Sequence, residues 1–169
     1  MHNWSGHKVV VLGLGDTGLS MARWLARRGA SVRVADSRAA PPHAARLVAE
    51  LPHTRLATGK FSDATLAGVD LIAISPGIDR REAPIAGAVK RGVPVVGDVE
   101  LFAQALKTPV TRHSSLVTPK VLAVTGSNGK STVTVMTGEI CRAAGRETVV
   151  AGNIGLPVLD ALEIGRAHV

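Results

Sequence analysis

Between Lys8 and Asp36 the chain spells out one strand, loop, helix and strand, and no other stretch restricts its fold as strongly. Lys8 to Leu12 is a short apolar run rich in valine. Gly13-Leu14-Gly15-Asp16-Thr17-Gly18 follows in the pattern G-x-G-x-x-G. Thr17 to Arg28 then has helical spacing, with Leu19, Ala22, Leu25 and Ala26 on one face and Gly29 as its stop. Ser31 to Ala35 reads as a second strand, ended by Asp36. Apolar strands on either side of a helix call for a parallel pair with the helix packed across it.

The same rhythm continues. Pro42 to Glu50 has helix-forming composition behind two prolines, and Arg55 to Ala57 is a short strand candidate. Ser62 is placed to cap a short helix before Gly68. Leu71 to Ile74 is a buried-type strand ending in Ser75-Pro76-Gly77. Ile85 to Arg91 reads as a helix closed by Gly92, Val93 to Val96 as a strand, and Val99 to Leu106 as a helix. Strands and helices alternating at this spacing predict an α/β fold with a Rossmann-like parallel sheet over residues 1–107. Thr108 to Pro119 is rich in Thr, Ser and Pro and has no sustained periodicity, so it reads as a linker whose Arg112 and His113 are solvated.

A second glycine turn follows the linker. Val121 to Val124 is an apolar strand candidate, and Thr125-Gly126-Ser127-Asn128-Gly129-Lys130-Ser131-Thr132 turns it into a helix that runs to about Ala144, with Gly145 as its stop. Glycines let backbone N–H groups curl around an anion. A helix N-terminus adds partial positive charge and Lys130 a full one, while Ser131 is placed to reach a magnesium ion. The common loop has the form G-x-x-x-x-G-K-[ST], whereas here only Ser127 and Asn128 separate Gly126 from Gly129. The loop predicts a nucleoside triphosphate site. Residues 120–162, with a further strand at Thr148 to Val150 and a last short helix, read as the start of a P-loop-type ATP-binding α/β domain that the chain is not expected to complete. Glu163 to Val169 matches the translation of a common sequencing adapter and is expected to be a non-native tail, so His168 carries no role.

The first loop offers backbone N–H groups to a diphosphate, and Asp36 lies where a carboxylate can accept from a ribose hydroxyl. NAD and a uridine diphosphate sugar both satisfy that chemistry. Asp16 would repel a diphosphate if it pointed inward, so it is expected to point away or to meet a donor on the ligand. Ser75-Pro76-Gly77 lies at the carboxyl end of its strand, where ligands of open parallel sheets sit, although a Pro-Gly turn also forms without any ligand.

Composition narrows the partners. The net charge of +7 comes with scattered arginines and no basic stripe, and the chain has two Phe, two Trp and no Tyr. Nucleic-acid binding by base stacking is therefore not expected. The single cysteine, Cys141, allows no internal disulfide and suits a reducing cytosol, and no apolar run reaches the ~20 residues of a membrane span.

Taken in order, Gly13 to Ser20, Asp36-Ser37-Arg38, Ser75 to Ile78, Gly97-Asp98-Val99-Glu100-Leu101-Phe102, Thr125 to Thr132 and Gly152-Asn153-Ile154-Gly155-Leu156-Pro157 resemble the muramyl peptide ligases of peptidoglycan synthesis. The short spacing before Lys130 is the one that family uses, and Asn128 matches its D-glutamate-adding branch. The resemblance implies a cytoplasmic, monomeric, ATP- and Mg2+-dependent enzyme joining D-glutamate to UDP-N-acetylmuramoyl-L-alanine through an acyl phosphate. It also implies roles for individual residues. Gly15, Asp16 and Thr17 would lie at the diphosphate, and Asp36, Ser37 and Arg38 near the uridine. Ser75, Pro76 and Gly77 would line the same groove, and Asn153 would reach the muramoyl portion. Gly126, Ser127, Asn128, Gly129, Lys130, Ser131 and Thr132 would hold ATP, with Lys130 catalytic on its phosphates and Ser131 near the metal. The family's metal-binding glutamate and histidine, modified lysine and C-terminal domain have no counterpart in these residues, so the chain alone is expected to be inactive. Two other readings stay open: an NAD-dependent oxidoreductase, from the first loop alone, and a non-catalytic nucleotide-binding module.

Overall fold

A computed structural model describes residues 4–107, 110–112, 115–117, 120–153 and 155–167. In chain order the elements are β1 (Lys8–Leu12), α1 (Asp16–Ala26), β2 (Ser31–Asp36), α2 (Ala44–Glu50), β3 (Arg55–Thr58), β4 (Leu71–Ile74), α3 (Ala83–Lys90), β5 (Val95–Val96), α4 (Asp98–Leu106), β6 (Val110–Arg112), β7 (Ser115–Val117), α5 (Lys130–Ala143) and α6 (Val158–Ala167).

Strands β1 to β5 form one parallel sheet in the order β3-β2-β1-β4-β5. β1 is central, which is why its valines and Leu12 are all buried: each face of the sheet is covered. Val9 and Val11 of β1, with Leu71 and Ala73 of β4, turn toward Leu19, Ala22 and Leu25 of α1 and Leu101 of α4. Val10, Leu12, Ile72 and Ile74 face Phe61, Leu66, Ile85 and Ala88 on the other side. The strand order reverses direction between β1 and β4, the place where open parallel sheets receive their ligands. The two tryptophans serve the opposite end of the fold. Trp4 packs edge-on against Trp24 with centroids 6.1 Å apart, and the Arg28 guanidinium lies 3.8 Å over the Trp24 ring.

Four expectations need correction. Residues 63–68 form hydrogen-bonded turns, not a helix; Ser62 does cap them, its Oγ accepting from the Thr65 N–H at 3.3 Å. The stretch read as a linker contains an antiparallel pair, β6 with β7, matching Val110 to Val117 and Arg112 to Ser115; His113 lies outside the described residues. Val121 to Val124 and Thr148 to Val150 are not strands. A strand exists only as part of a ladder, and among the described residues none pairs with either segment. Val121 and Leu122 stay 52% and 70% exposed, and α5 leaves Val135, Met136 and Ile140 in solvent. Val150 does pack onto α5, where a Cβ on Gly138 would meet its Cγ2 at 2.4 Å.

The fourth concerns α6, expected as the last short helix of the 120–162 unit. It packs instead on the first sheet's helical layer, with Leu159 fully buried in the same core as Leu19 and Leu101. Asp160 accepts from Ser20 Oγ at 2.8 Å and from Arg23 at 2.7 Å, and Arg23 also holds Glu50. The helix satisfies its apolar stripe in the groove between α1 and α4, the covered surface within its reach. Its backbone continues helically through Ala167, into the stretch read as a tail, while His168 lies outside the described residues.

Candidate functional site

The first glycine loop joins β1 to α1 at the carboxyl edge of the sheet, and its glycines do separate jobs. Gly13 has φ +87, which makes the tight turn, and its N–H donates to the Ala35 carbonyl at 2.8 Å. Gly18 lets α1 press against that turn, since a Cβ there would meet the Gly13 carbonyl oxygen at 1.7 Å. Nothing stands within 4 Å of the space a Gly15 Cβ would fill, so a ligand can approach that backbone closely. Gly15 is also the N-cap of α1, with no side-chain cap, which leaves the first amides of the helix available to an anion.

Asp36, at the end of β2, is the organising charge of this edge. It is 1% exposed. Its Oδ2 accepts from the Leu14 N–H at 2.6 Å and from the Arg38 guanidinium at 2.6 Å. Its Oδ1 accepts from the Arg38 N–H and Nε–H, both at 2.8 Å. The Arg38 hydrogen bonds outweigh burial and hold the carboxyl well below its usual range, at about 2. Four acceptances saturate a carboxylate. Asp36 thus fixes the loop at Leu14 and aims Arg38, whose side chain is 52% exposed. The same pair raises the Arg38 pKa, its hydrogen bonds to Asp36 being the leading cause.

Asp16 meets a donor of the protein itself, a partner the sequence did not indicate. Its Oδ1 lies 2.8 Å from His43 Nε2. His43 escaped the sequence reading because a lone histidine behind two prolines carries no spacing signal; only the tertiary fold sets it against α1. Thr17 is half-buried in the first turn of α1, and Ser37 is exposed between Asp36 and Arg38.

Ser75 ties the neighbouring loop to the first, its Oγ donating to the Gly13 carbonyl at 3.3 Å. Ser75, Pro76 and Ile78 line one side of a cleft of about 670 Å³ beyond the ends of β4 and β5. Arg80, Gly97 and Glu100 line it too, and the Arg80 guanidinium is pinned by the Val95 carbonyl. Gly77 is exposed at the turn and is not part of the lining. Arg80 and Glu100 were not singled out from sequence; Glu100 belongs to the Gly97-Asp98-Val99-Glu100 run that could have pointed to it.

The second loop is exposed throughout. Gly126 and Gly129 take φ of +149 and +75, and Gly129 caps α5 without a side chain. Lys130 folds its ammonium back over the loop, donating to the Gly126 carbonyl at 2.6 Å and the Ser127 carbonyl at 3.2 Å. Ser131 and Thr132 stand exposed on the first turn of α5, and Asn128 is exposed in the loop. Asn153 is exposed in a bend closed by the Gly152 N–H donating to the Leu156 carbonyl at 2.9 Å. Among the described residues, no hydrogen bond or ion pair joins this loop or Asn153 to the Asp36, Asp16 or Ser75 groups. The structure therefore ties together the residues at 13–18, 36–38 and 75–78.

The profile of a family described as Mur ligase MurD-like, N-terminal domain, matches residues 7–97. The chain is similar to UDP-N-acetylmuramoylalanine–D-glutamate ligase of Thiobacillus denitrificans, 59% identical over 94% of this chain and 34% of that protein. It is similar to the ligase of the same name from Methylobacillus flagellatus, 56% identical over 92% of this chain and 32% of that one. The chain thus spans about a third of the length of the curated relatives it matches. Among solved structures it resembles a murein peptide ligase from Psychrobacter arcticus at 25% identity and TM-score 0.51, covering 83% of this chain and 27% of that one. UDP-N-acetylmuramate–alanine ligase from Thermotoga maritima shares the fold at 20% identity and TM-score 0.52, covering 82% and 30%.

Proposed function

The chain belongs to the MurD-like Mur ligases, and we propose that it is the N-terminal part of the cytoplasmic enzyme that joins D-glutamate to UDP-N-acetylmuramoyl-L-alanine with ATP. In this reading residues 1–107 hold the UDP-sugar, 108–119 connect, and 120–162 begin the ATP-binding unit. The observation that carries the nucleotide choice is the saturation of Asp36. A carboxylate that already accepts from Leu14 and Arg38 has no free lone pair for the ribose hydroxyl of a nicotinamide dinucleotide. What the edge offers instead is a positioned guanidinium, uncapped helix amides and the Ser75-Pro76 cleft, which suit an anionic sugar nucleotide.

The reaction proposed is phosphorylation of the substrate's terminal carboxylate by ATP, attack of the D-glutamate amine on the acyl phosphate, and departure of phosphate. Its demand is to neutralise charge on the transferred phosphoryl while attacker and leaving group are held in line. The 126–132 loop fits a triphosphate, having two glycines of positive φ, an exposed ammonium folded over the loop and an uncapped helix start. Lys130 would exchange its carbonyl partners for the β- and γ-phosphates, and the Ser131 hydroxyl would hold a magnesium ion, which supplies further charge neutralisation when bound. Among the described residues no helix is long and apolar enough to cross a membrane, and a monomer acting on water-soluble nucleotides completes the reading.

Calorimetry of the chain with UDP-N-acetylmuramoyl-L-alanine and, separately, NADH tests the assignment. Heat from the sugar nucleotide and none from NADH is expected; the reverse pattern refutes it. The chain alone is expected to form no UDP-N-acetylmuramoyl-L-alanyl-D-glutamate, and detection of that product would overturn the view that further residues are required.

A further inference from the structure

The first helical residue after a diphosphate-binding loop is a poor place for a carboxylate, yet Asp16 occupies it. The fold supplies a counterpart. A carboxylate only accepts, so the Nε2–H of His43 donates across the 2.8 Å contact to Asp16 Oδ1. The imidazole is 18% exposed and the Asp16 side chain 73%, so the ring is the fixed member and the carboxylate is drawn to it. His43 also ends the segment that begins with Arg38, itself pinned to Asp36. The contact therefore straps that segment to the start of α1, beside the open space at Gly15.

We propose that His43 is a positioning residue for a nucleoside diphosphate: by holding Asp16 it offsets that carboxylate's repulsion of the ligand and keeps the Arg38 segment alongside the loop. The proposal rests on reading this edge as the UDP-sugar site. It makes His43 matter only while Asp16 is charged, and only for ligands whose phosphates reach α1. A merely structural contact would instead act on every ligand alike.

The test is a double-mutant cycle on the full chain, titrated calorimetrically with UDP and with UMP, the fold of each variant being checked by its thermal melt. His43→Ala should weaken UDP binding about tenfold by exposing an unpaired charge to the diphosphate. Asp16→Asn should tighten it a few-fold, and Asp16→Asn with His43→Ala should recover most of the loss. UMP should change by less than about twofold throughout, because its single phosphate gains less from the helix N-terminus. Unchanged UDP affinity in His43→Ala, a double variant no better than the single, or equal losses for UDP and UMP would each overturn the proposal. If His43→Ala does not fold, Asp16→Asn decides alone, and failure to tighten UDP binding refutes it. Absence of UDP binding by the unaltered chain would instead remove the sugar-nucleotide reading, and this role with it.

Discussion

Replacing Asp36 with asparagine tests whether one buried charge organises the ligand edge. The group's pKa falls from 3.8 to about 2, chiefly through the Arg38 hydrogen bonds. That difference corresponds to roughly 2 kcal/mol of folding stability. The folded value is depressed, so this contribution is fully present above the unfolded value and is lost as pH falls toward about 2. Asparagine adds a second cost. It presents an NH2 group where a carboxylate oxygen now accepts either from Leu14 or from Arg38, leaving a buried donor unmatched at about 1–3 kcal/mol. The total is on the order of 3–5 kcal/mol, as for breaking other buried ion pairs, and a drop in melting temperature of about 10 °C follows for a chain of this size. Urea unfolding followed by circular dichroism, repeated from about pH 7 to about pH 2.5, reads both parts. The gap between the two proteins should be widest near neutrality and should narrow by about 2 kcal/mol on acidification. Asp79 and Glu50 also have lowered values, through Arg81 for the former and through Arg23 and Arg46 against burial for the latter. They remain in both proteins, so the difference isolates Asp36. A variant within about 0.5 kcal/mol of the parent at neutral pH, or a gap that does not narrow, would refute the clamp.

Other consequences separate the roles of neighbouring residues. Gly18→Ala drives a methyl into the Gly13 carbonyl, 1.7 Å from the ideal Cβ, and should cost about 3 kcal/mol of stability in the same assay, while a loss below about 1 kcal/mol would show that α1 can shift freely. Gly15→Ala meets open space at an ordinary φ of −87, so its melt should be nearly unchanged while UDP affinity falls; the opposite pattern would mean that no ligand approaches there. Leu159→Ala should cost about 2–4 kcal/mol if α6 belongs to the first core, with amide exchange accelerating in α6 and along α1; exchange confined to 120–153 would place the helix elsewhere. Met136→Lys with Ile140→Glu removes apolar surface that is 58% and 66% exposed, and should reduce light scattering by the chain without moving the main melting transition.

The contrast between the two glycine loops shows what a sequence can carry and what it cannot. Each presents an apolar run, a turn and a helix, and from pattern alone both predict a strand feeding a phosphate loop. β1 became a strand because β2 and β4 bond to its two edges, register for register, from Val9 to Leu12. Val121 to Val124 has the same kind of residues and no partner among the described ones, so its backbone stays irregular and its apolar side chains stay wet. The parallel sheet and the α1, β2, β4 and α4 assignments were legible because their signals are local and the partners lie nearby in the chain. The docking of α6 was not, since Ser20 and Asp160 are 140 residues apart and nothing in their spacing announces the bond. The site followed the same rule. Asp36 was legible as the acid after the second strand, but its bonds to Arg38 and Leu14 required the folded loop. A motif therefore fixes where a charge stands before it fixes what the charge is for, and the second question turns on the donors that reach Asp36 in the folded chain.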